Sequence, residues 1–446
     1  MNIIIAGDGE VGFYLATMLV DENHNITVVD PHEDLLEKIE SQTDLLTITG
    51  DSTSPAILEK AEVHKADLLI SVLHDERTNL ITAMIGKKMG AKTTIARVDN
   101  PEYLSDDYKE LYKNLGVDVL VCPERIASKE IVKLLSQPAA TEFYEFSGGK
   151  LMLFLVRLDE KALVIGKTLD QIAKENEHLA FRAIAIHRNS KTIMPRGNDS
   201  FKVNDMAYVI AKPEGIEQLL YLGGKEKTAV KSVMIVGGGR IGRKTANFLE
   251  DEISVKLIEQ DKERCIMLSE QLDKTMVING DARNFDLLEE EGIDRMDAFL
   301  SLTNDSEINI LMCMIAKRYG VKRTIALVEN IDYIDISQHI GIETIINKKL
   351  ATASYITRYT LGETVMSSKC LIGVDADALE LIAQPGSKVT QRPIRELDFP
   401  KGAVIGGIIR GEEGHIAVGN FQIQDHDRVV VFTLPSAVKE VTKLFL

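Results

Sequence analysis

Nowhere in its 446 residues does the chain carry an apolar run approaching the roughly 18 needed to cross a bilayer, which excludes direct insertion into a membrane as a helix. Positive charge is also short. Lys and Arg number 52 against 68 Asp and Glu, a net charge of −16, and no local Lys/Arg cluster offsets it. Nucleic acid and anionic lipid surfaces both demand a basic footprint, so neither is expected as a direct partner. Cysteine is scarce: Cys122, Cys265, Cys313 and Cys370 show no CxxC spacing and are expected as buried free thiols of a reducing compartment. The nine histidines are scattered without i, i+4 pairs or His/Cys clusters, so no metal site is expected. An apolar run begins directly after Met1 with neither a basic leader nor a small-residue cleavage site, so a cytoplasmic location is expected.

What the chain does have, it has twice. Gly7-Asp8-Gly9-Glu10-Val11-Gly12 recurs 230 residues later as Gly237-Gly238-Gly239-Arg240-Ile241-Gly242. Each follows a short apolar run (Asn2 to Ala6, Ser232 to Val236) and opens a stretch of helical period. One GxGxxG is a weak signal; two in the same strand–turn–helix context are a strong one. The same offset of 230 links Gly50-Asp51 with Gly280-Asp281, Asp75 with Asp305, Asn79 with Asn309, Tyr103 with Tyr333, and Thr94-Ile95-Ala96 with Thr324-Ile325-Ala326. The chain is an internal duplication, and that settles its architecture.

Within the first copy, strands near 25–29, 45–48, 67–73, 93–98 and 118–121 alternate with helical stretches near 11–19, 33–40, 78–89 and toward 135, and Asp51-Ser52-Thr53 reads as a helix start. Continuous Val/Ile/Leu strands between helices predict an α/β fold: a doubly wound, Rossmann-like parallel sheet covered on both faces. Residues 142–222 and 370–446 lose that alternation for short strands and repeat at an offset of 222, pairing Arg188 with Arg410, Asn198 with Asn420 and Asp205 with Asp427. Each Rossmann-like unit is thus followed by a small α+β domain. The expected boundaries are 1–135, 141–222, a linker at 223–231, 232–361 and 370–446.

A glycine turn entering a helix presents backbone N–H groups and the positive end of the helix dipole to a phosphate. Asp30 stands eighteen residues after Gly12, and Glu259 seventeen after Gly242, each at the end of a second strand. A carboxylate there accepts hydrogen bonds from the ribose hydroxyls of an adenosine, worth on the order of 1.5–3 kcal/mol when charge-assisted, and repels a 2′-phosphate. NADP is therefore disfavoured in both copies. Asp51 and Asp281 end the third strands and are placed beside the adenine, with a turn and helix cap as the competing reading. The copies also differ. Arg97 ends the fifth strand of the first, directing a cation toward the mouth of the sheet, where the second has Leu327; the first glycine loop carries Asp8 and Glu10, the second Arg240. Extra phosphates, as in ATP or ADP, would suit the first site. No acid/base constellation accompanies the folds. His187 and Arg188 come nearest, but the repeat has Ile409 in place of His187, so both are read as ordinary surface or edge residues and no catalytic residue is assigned.

In these motifs, with Val29-Asp30, Ala96-Arg97-Val98, Pro101-Glu102-Tyr103, Val255 to Glu259 and Leu302 to Asp305, the whole chain resembles the KTN, or RCK, family of regulators of Trk-type potassium uptake. The resemblance implies a non-enzymatic regulatory subunit that binds NAD(H), ATP or ADP and assembles as a tetramer. It implies docking on a TrkH-type membrane potassium-translocating subunit, peripheral to the inner face of the cell membrane, with nucleotide state coupled to gating. Carried over, the first site would use Gly7 to Val11, Asp30, Leu73-His74 and Arg97, and the second Gly237 to Ile241, Glu259 and Thr303-Asn304. His74 departs from the Asn common at that turn. Two other readings stay open from the residues alone: an NAD-dependent oxidoreductase, and a scaffold with degenerate nucleotide sites.

Overall fold

Strands that are apolar on both faces are stable only inside a layered structure. In the computed structural model, β1 (Asn2–Ala6), β2 (Asn25–Asp30), β3 (Leu46–Thr49), β4 (Leu68–Ser71), β5 (Thr93–Arg97) and β6 (Val119–Val121) form one parallel sheet in the order β3-β2-β1-β4-β5-β6. The structure describes residues 1–446 except 8, 22–23, 42, 44, 137–139, 177–178, 190, 226–228, 343, 362–363 and 372–375, and the side chains of Glu10, Asp21, Leu35, Lys38, Pro101 and Cys370. The strand order reverses between β1 and β4, which opens a crevice at their carboxyl ends, the usual ligand position in such sheets.

An antiparallel sheet follows, built of β7 (Glu142–Phe146), β8 (Leu151–Arg157), β9 (Phe181–Arg188), β10 (Lys191–Ile193) and β11 (Met206–Ala211) in the order β10-β9-β11-β8-β7. The second parallel sheet comprises β12 (Ser232–Val236), β13 (Ser254–Glu259), β14 (Met276–Asn279), β15 (Ala298–Ser301), β16 (Arg323–Leu327) and β17 (Thr344–Ile346), ordered β14-β13-β12-β15-β16-β17. The last sheet, β18 (Val365–Cys370), β19 (Asp377–Ile382), β20 (Ala403–Arg410), β21 (Glu413–Ile416) and β22 (Arg428–Thr433), runs β18-β19-β22-β20-β21. The two parallel sheets share one strand order, as duplication requires.

Packing does not follow chain order. Contacts sort the chain into one body of residues 1–126 with 348–362 and another of 127–347 with 363–446. In the first, Ala353 and Ile356 of helix Lys348–Thr357 join Val11, Leu15 and Leu19 in a single core. In the second, Ala127, Ile131 and Leu134 join a core that includes Ile241 and Ala246, and Ser128 Oγ donates to the Ile241 carbonyl at 3.2 Å. Arg323 fixes the exit of that segment, donating to the carbonyls of Leu134 at 3.1 Å and Ala140 at 2.6 Å.

Three local expectations are corrected. The segment Asp51-Ser52-Thr53 does not start a helix: Asp51 Oδ1 accepts from Thr53 N at 2.8 Å in a turn, and the helix is Pro55–Lys60, with Ser54 at its N-cap and proline at its first position. Strand β4, expected to reach Leu73, ends at Ser71, because the Leu73 N–H is taken by Asn79 Oδ1 at 2.8 Å. Arg188 is not an idle edge residue. Its Nε and Nη2 donate to both oxygens of Asp205, at 2.7 and 2.6 Å, and Arg410 repeats the fork on Asp427 at 2.9 and 2.7 Å. Asp205 and Asp427 are buried and each also caps a backbone N–H, of Lys202 and Gln424, so the pairs close equivalent turns of the two small domains. Cys122, Cys265 and Cys313 are buried thiols outside any disulfide among the described residues; the Cys370 side chain lies outside the described residues.

Candidate functional site

The crevice at each strand reversal is shaped first by glycine. Gly7 and Gly237 have φ of +113° and +98°, which only glycine adopts without strain, and a Cβ there would stand 2.8 Å from Leu73 N and 3.0 Å from Thr303 N. A Cβ on Gly12 or Gly242 would lie 1.9 Å from the carbonyl oxygen of Gly7 or Gly237, so these glycines let helix and strand touch. The middle glycines differ in kind. A methyl placed on Gly9 or Gly239 would meet no described atom within 4 Å, and neither residue has a left-handed φ, so the fold itself does not require glycine at either place. Helices Glu10–Asp21 and Arg240–Leu249 begin immediately after them, with Val11 and Ile241 buried as anchors.

The two acids stand where the spacing put them. Asp30 is 3% and Glu259 6% exposed, at the carboxyl ends of β2 and β13. Asp30 Oδ1 accepts from His32 N at 2.9 Å and lies 2.8 Å from the imidazole Nδ1. Glu259 Oε1 accepts from Asp261 N at 2.9 Å and Oε2 from Gly238 N at 2.8 Å, tying the acid directly to the glycine loop. Across the crevice, Asn79 and Asn309 are fully buried staples. Their Oδ1 atoms take the N–H of Leu73 (2.8 Å) and Thr303 (3.0 Å), and their Nδ2 atoms reach the carbonyls of Arg97 (3.1 Å) and Leu327 (2.8 Å). The turns Leu73-His74 and Thr303-Asn304 are thereby locked to the neighbouring strand ends, with His74 exposed on its turn.

In the second copy these elements enclose a cavity of about 410 Å³ lined by Gly237, Gly239, Glu259, Asp281, Thr303 and Asn304, among others. Gly238, Ile241 and Gly242 stand behind its wall, and Arg240 is exposed at the start of the helix. Two cations at the rim escaped the sequence reading. Arg264 Nη1 lies 3.6 Å from Glu259, and Arg283 forks onto Asp281 at 2.6 Å, holding that carboxyl below its ordinary range. Both follow their acids closely in sequence, five and two residues on, so a search for cations just after each strand-end acid would have found them. Counted from the same acids, the first copy has Leu35 and Thr53 at those positions. Asp51 is held below the usual carboxylate range mainly by the Thr53 backbone N–H.

Arg97, expected to direct a cation toward the mouth of the sheet, stands at the carboxyl end of β5 with acids close by. Its side chain is 13% exposed, with Nη2 3.3 Å from Asp99 and 3.7 Å from Glu124, while its buried Nε has no hydrogen-bond partner among the described residues. Two carboxylates that follow the carboxyl ends of β5 and β6 hold the guanidinium there. Asp8 lies outside the described residues, as does the side chain of Glu10.

Family comparisons agree with this layout. The TrkA-N domain matches residues 3–123 and 233–348, and the TrkA-C domain residues 153–222 and 379–446. The chain is 34% identical over 451 residues to the Trk system potassium uptake protein TrkA of Halomonas elongata, covering 100% of this chain and 98% of that one. It is likewise 34% identical over 452 residues to TrkA of Vibrio alginolyticus (100% and 98% covered), and 32% over 447 residues to a TrkA homolog of Archaeoglobus fulgidus (100% of both). Among solved structures, the GsuK channel bound to NAD superposes with a TM-score of 0.62 at 19% identity, over 100% of this chain and 78% of that one. GsuK bound to ADP gives 0.51 at 18% identity, over 80% and 68%. Both likenesses concern the fold.

Proposed function

The chain belongs to the TrkA family, and on that premise we propose that it is the nucleotide-binding regulatory subunit of a Trk-type potassium transport system, without catalysis of its own. One observation carries the binding half of this reading. Gly9 and Gly239 are glycine where the protein's own packing leaves room for a side chain, so the requirement lies with something that approaches from outside. A dinucleotide pyrophosphate over the helix N-terminus, with Asp30 or Glu259 accepting from the ribose, meets that requirement. NAD(H) suits both copies. ATP or ADP suits the first, where a terminal phosphate would compete with Asp99 and Glu124 for Arg97.

A purely binding role is supported by how the charges of the second cavity are already engaged. Its described lining contains no His, Cys, Lys or Tyr; Glu259 and Asp281 are committed to the contacts above, and Asp305 Oδ1 caps a helix through Ile308 N. Such a site binds a nicotinamide cofactor without supplying a proton donor to a second substrate.

No helix among the described residues is long and apolar enough to cross a membrane, so action at a membrane would run through a partner, proposed as a TrkH-type subunit at its inner face. Homo-oligomerisation, proposed as a tetramer, is supported by exposed apolar residues at repeat-equivalent places: Ile81 and Leu311, 47% and 55% exposed, on helices Glu76–Lys88 and Ser306–Arg318. A ligand shifts gating only by binding one arrangement of that assembly better than another. Reconstitution with a TrkH-type subunit tests the whole reading. Potassium flux should respond to NADH, ATP or ADP, and Arg97→Ala should erase any difference between ATP and ADP. Flux indifferent to all three nucleotides would overturn the regulatory role.

A further inference from the structure

The first antiparallel domain contains a cavity of about 750 Å³ between its sheet and the helices Leu169–Glu175 and Ile216–Leu222. Val156, Ile172, Phe181, Val209, Leu219 and Leu222 line it, and the segment Ile416 to Gly419 covers one side. Its lining has diverged between the repeats. At the offset of 222, Ala183 and Ala207 of the lining correspond to Ile405 and Val429, which are buried in the second domain. These two lining positions are smaller than their counterparts, whereas Phe181 is larger than its counterpart Ala403.

One further exchange makes the cavity chemically specific. Arg182 stands where the second domain has Val404, and both occupy the same register, opposite Ile210 and Phe432. The part-buried Arg182 guanidinium lines the cavity and donates from Nη1 to the Ala417 carbonyl at 2.6 Å. No carboxylate among the described residues pairs with it, and burial pulls its pKa below the usual range without opposition. At the rim lie one more cation, Arg196, and one acid, Asp170, in a chain whose net charge is −16. An unpaired cation on an apolar wall is costly, and the guanidinium edge not used by Ala417 matches a carboxylate. We infer that this cavity binds a small amphipathic monoanion, a carboxylate head on an apolar body, with Arg182 holding the head and the sheet face holding the body. This site is separate from both nucleotide crevices and does not depend on the regulatory reading.

Calorimetric titration of the full chain with dodecanoate, below the concentration at which it forms micelles, and with neutral dodecanol tests the assignment. Dodecanoate should bind at one per chain. Arg182→Gln should weaken dodecanoate by about ten-fold or more while changing dodecanol by less than about two-fold. The double variant Ala183→Ile, Ala207→Val installs side chains that the second domain already accommodates, and should abolish binding of both. If wild-type protein binds no dodecanoate and the double variant merely melts at a higher temperature, the cavity is a packing void only and the inference fails. It fails equally if dodecanoate binds as tightly to the double variant, or if Arg182→Gln weakens both probes alike.

Discussion

Asn309 is fully buried and joins five hydrogen bonds: its Oδ1 accepts from the Thr303 N–H, the Thr303 hydroxyl and the Ser301 hydroxyl, and its Nδ2 donates to the Thr303 and Leu327 carbonyls. Asn309→Leu keeps the branched shape but strands those groups, and should cost about 1–3 kcal/mol in chemical denaturation. It should also loosen nucleotide binding through the Thr303-Asn304 turn, which Asn309 ties to the end of β16. The forked pairs of the small domains are a second residue-scale case. Asp205→Ala leaves Arg188 and the Lys202 N–H without their acceptor, and should destabilise the protein by about 3 kcal/mol. Asp427→Ala should act similarly, because Arg410 and Gln424 stand in the same relation to it. A loss under about 1 kcal/mol in both would show the forks to be superficial.

Elements begin and end where side chains intercept the backbone, and this gives each parallel sheet a sensitivity to acid. Asp67 accepts from Asn2 N at 2.8 Å, and Asp297 from Lys231 N at 2.9 Å and Ser232 N at 3.0 Å, so each anchors the start of its central strand. The Lys92 ammonium is the main cause of the lowered pKa of Asp67, and the Lys231 backbone N–H that of Asp297. Because folding lowers these values, their stabilisation is complete above the ordinary carboxylate value of 3.8 and drains away as pH falls toward the folded pKa. Asp297→Asn should therefore lower the melting temperature at pH 7 and narrow its gap from wild type as pH falls below about 4. A gap that stays constant across that range would remove Asp297 from the acid response.

At the same scale, the sequence was legible where signals are local. Strand identity followed from continuous apolar runs, and the glycines and acids from fixed spacing within one βαβ unit. The carboxylate clamp on Arg97 was not legible, because Glu124 lies 27 residues away and is brought near only by the β5–β6 pairing. Nor was the placement of helix Lys348–Thr357, since an apolar helix face says that it must be covered without saying by what.

At the scale of the whole molecule, duplication followed by divergence explains more than either copy does alone. Both parallel sheets keep the glycines and the strand-end acid, while the cations have moved: Arg97 at the fifth strand of the first, Arg264 and Arg283 beside the acids of the second. The small domains keep the Arg–Asp fork and differ at Arg182, where the second has Val404. Features shared by the copies are those on which the proposed common ligand rests, and features that differ are where the proposal that the two sites prefer different nucleotides is to be tested.

If both crevices hold a nucleotide, its phosphates are what need the open middle glycine. Calorimetric titration with NADH and with ATP, on wild type, Gly9→Ala and Gly239→Ala, puts that to the test. Two sites per chain are expected in wild type across the two ligands, with one lost in each variant. Melting temperatures should fall by no more than about 2 °C, the cost of alanine for glycine at a helix N-cap such as Gly239, because neither methyl meets a described atom within 4 Å. Undiminished binding in both variants, or no binding to wild type at millimolar nucleotide, would contradict nucleotide occupancy of the two crevices.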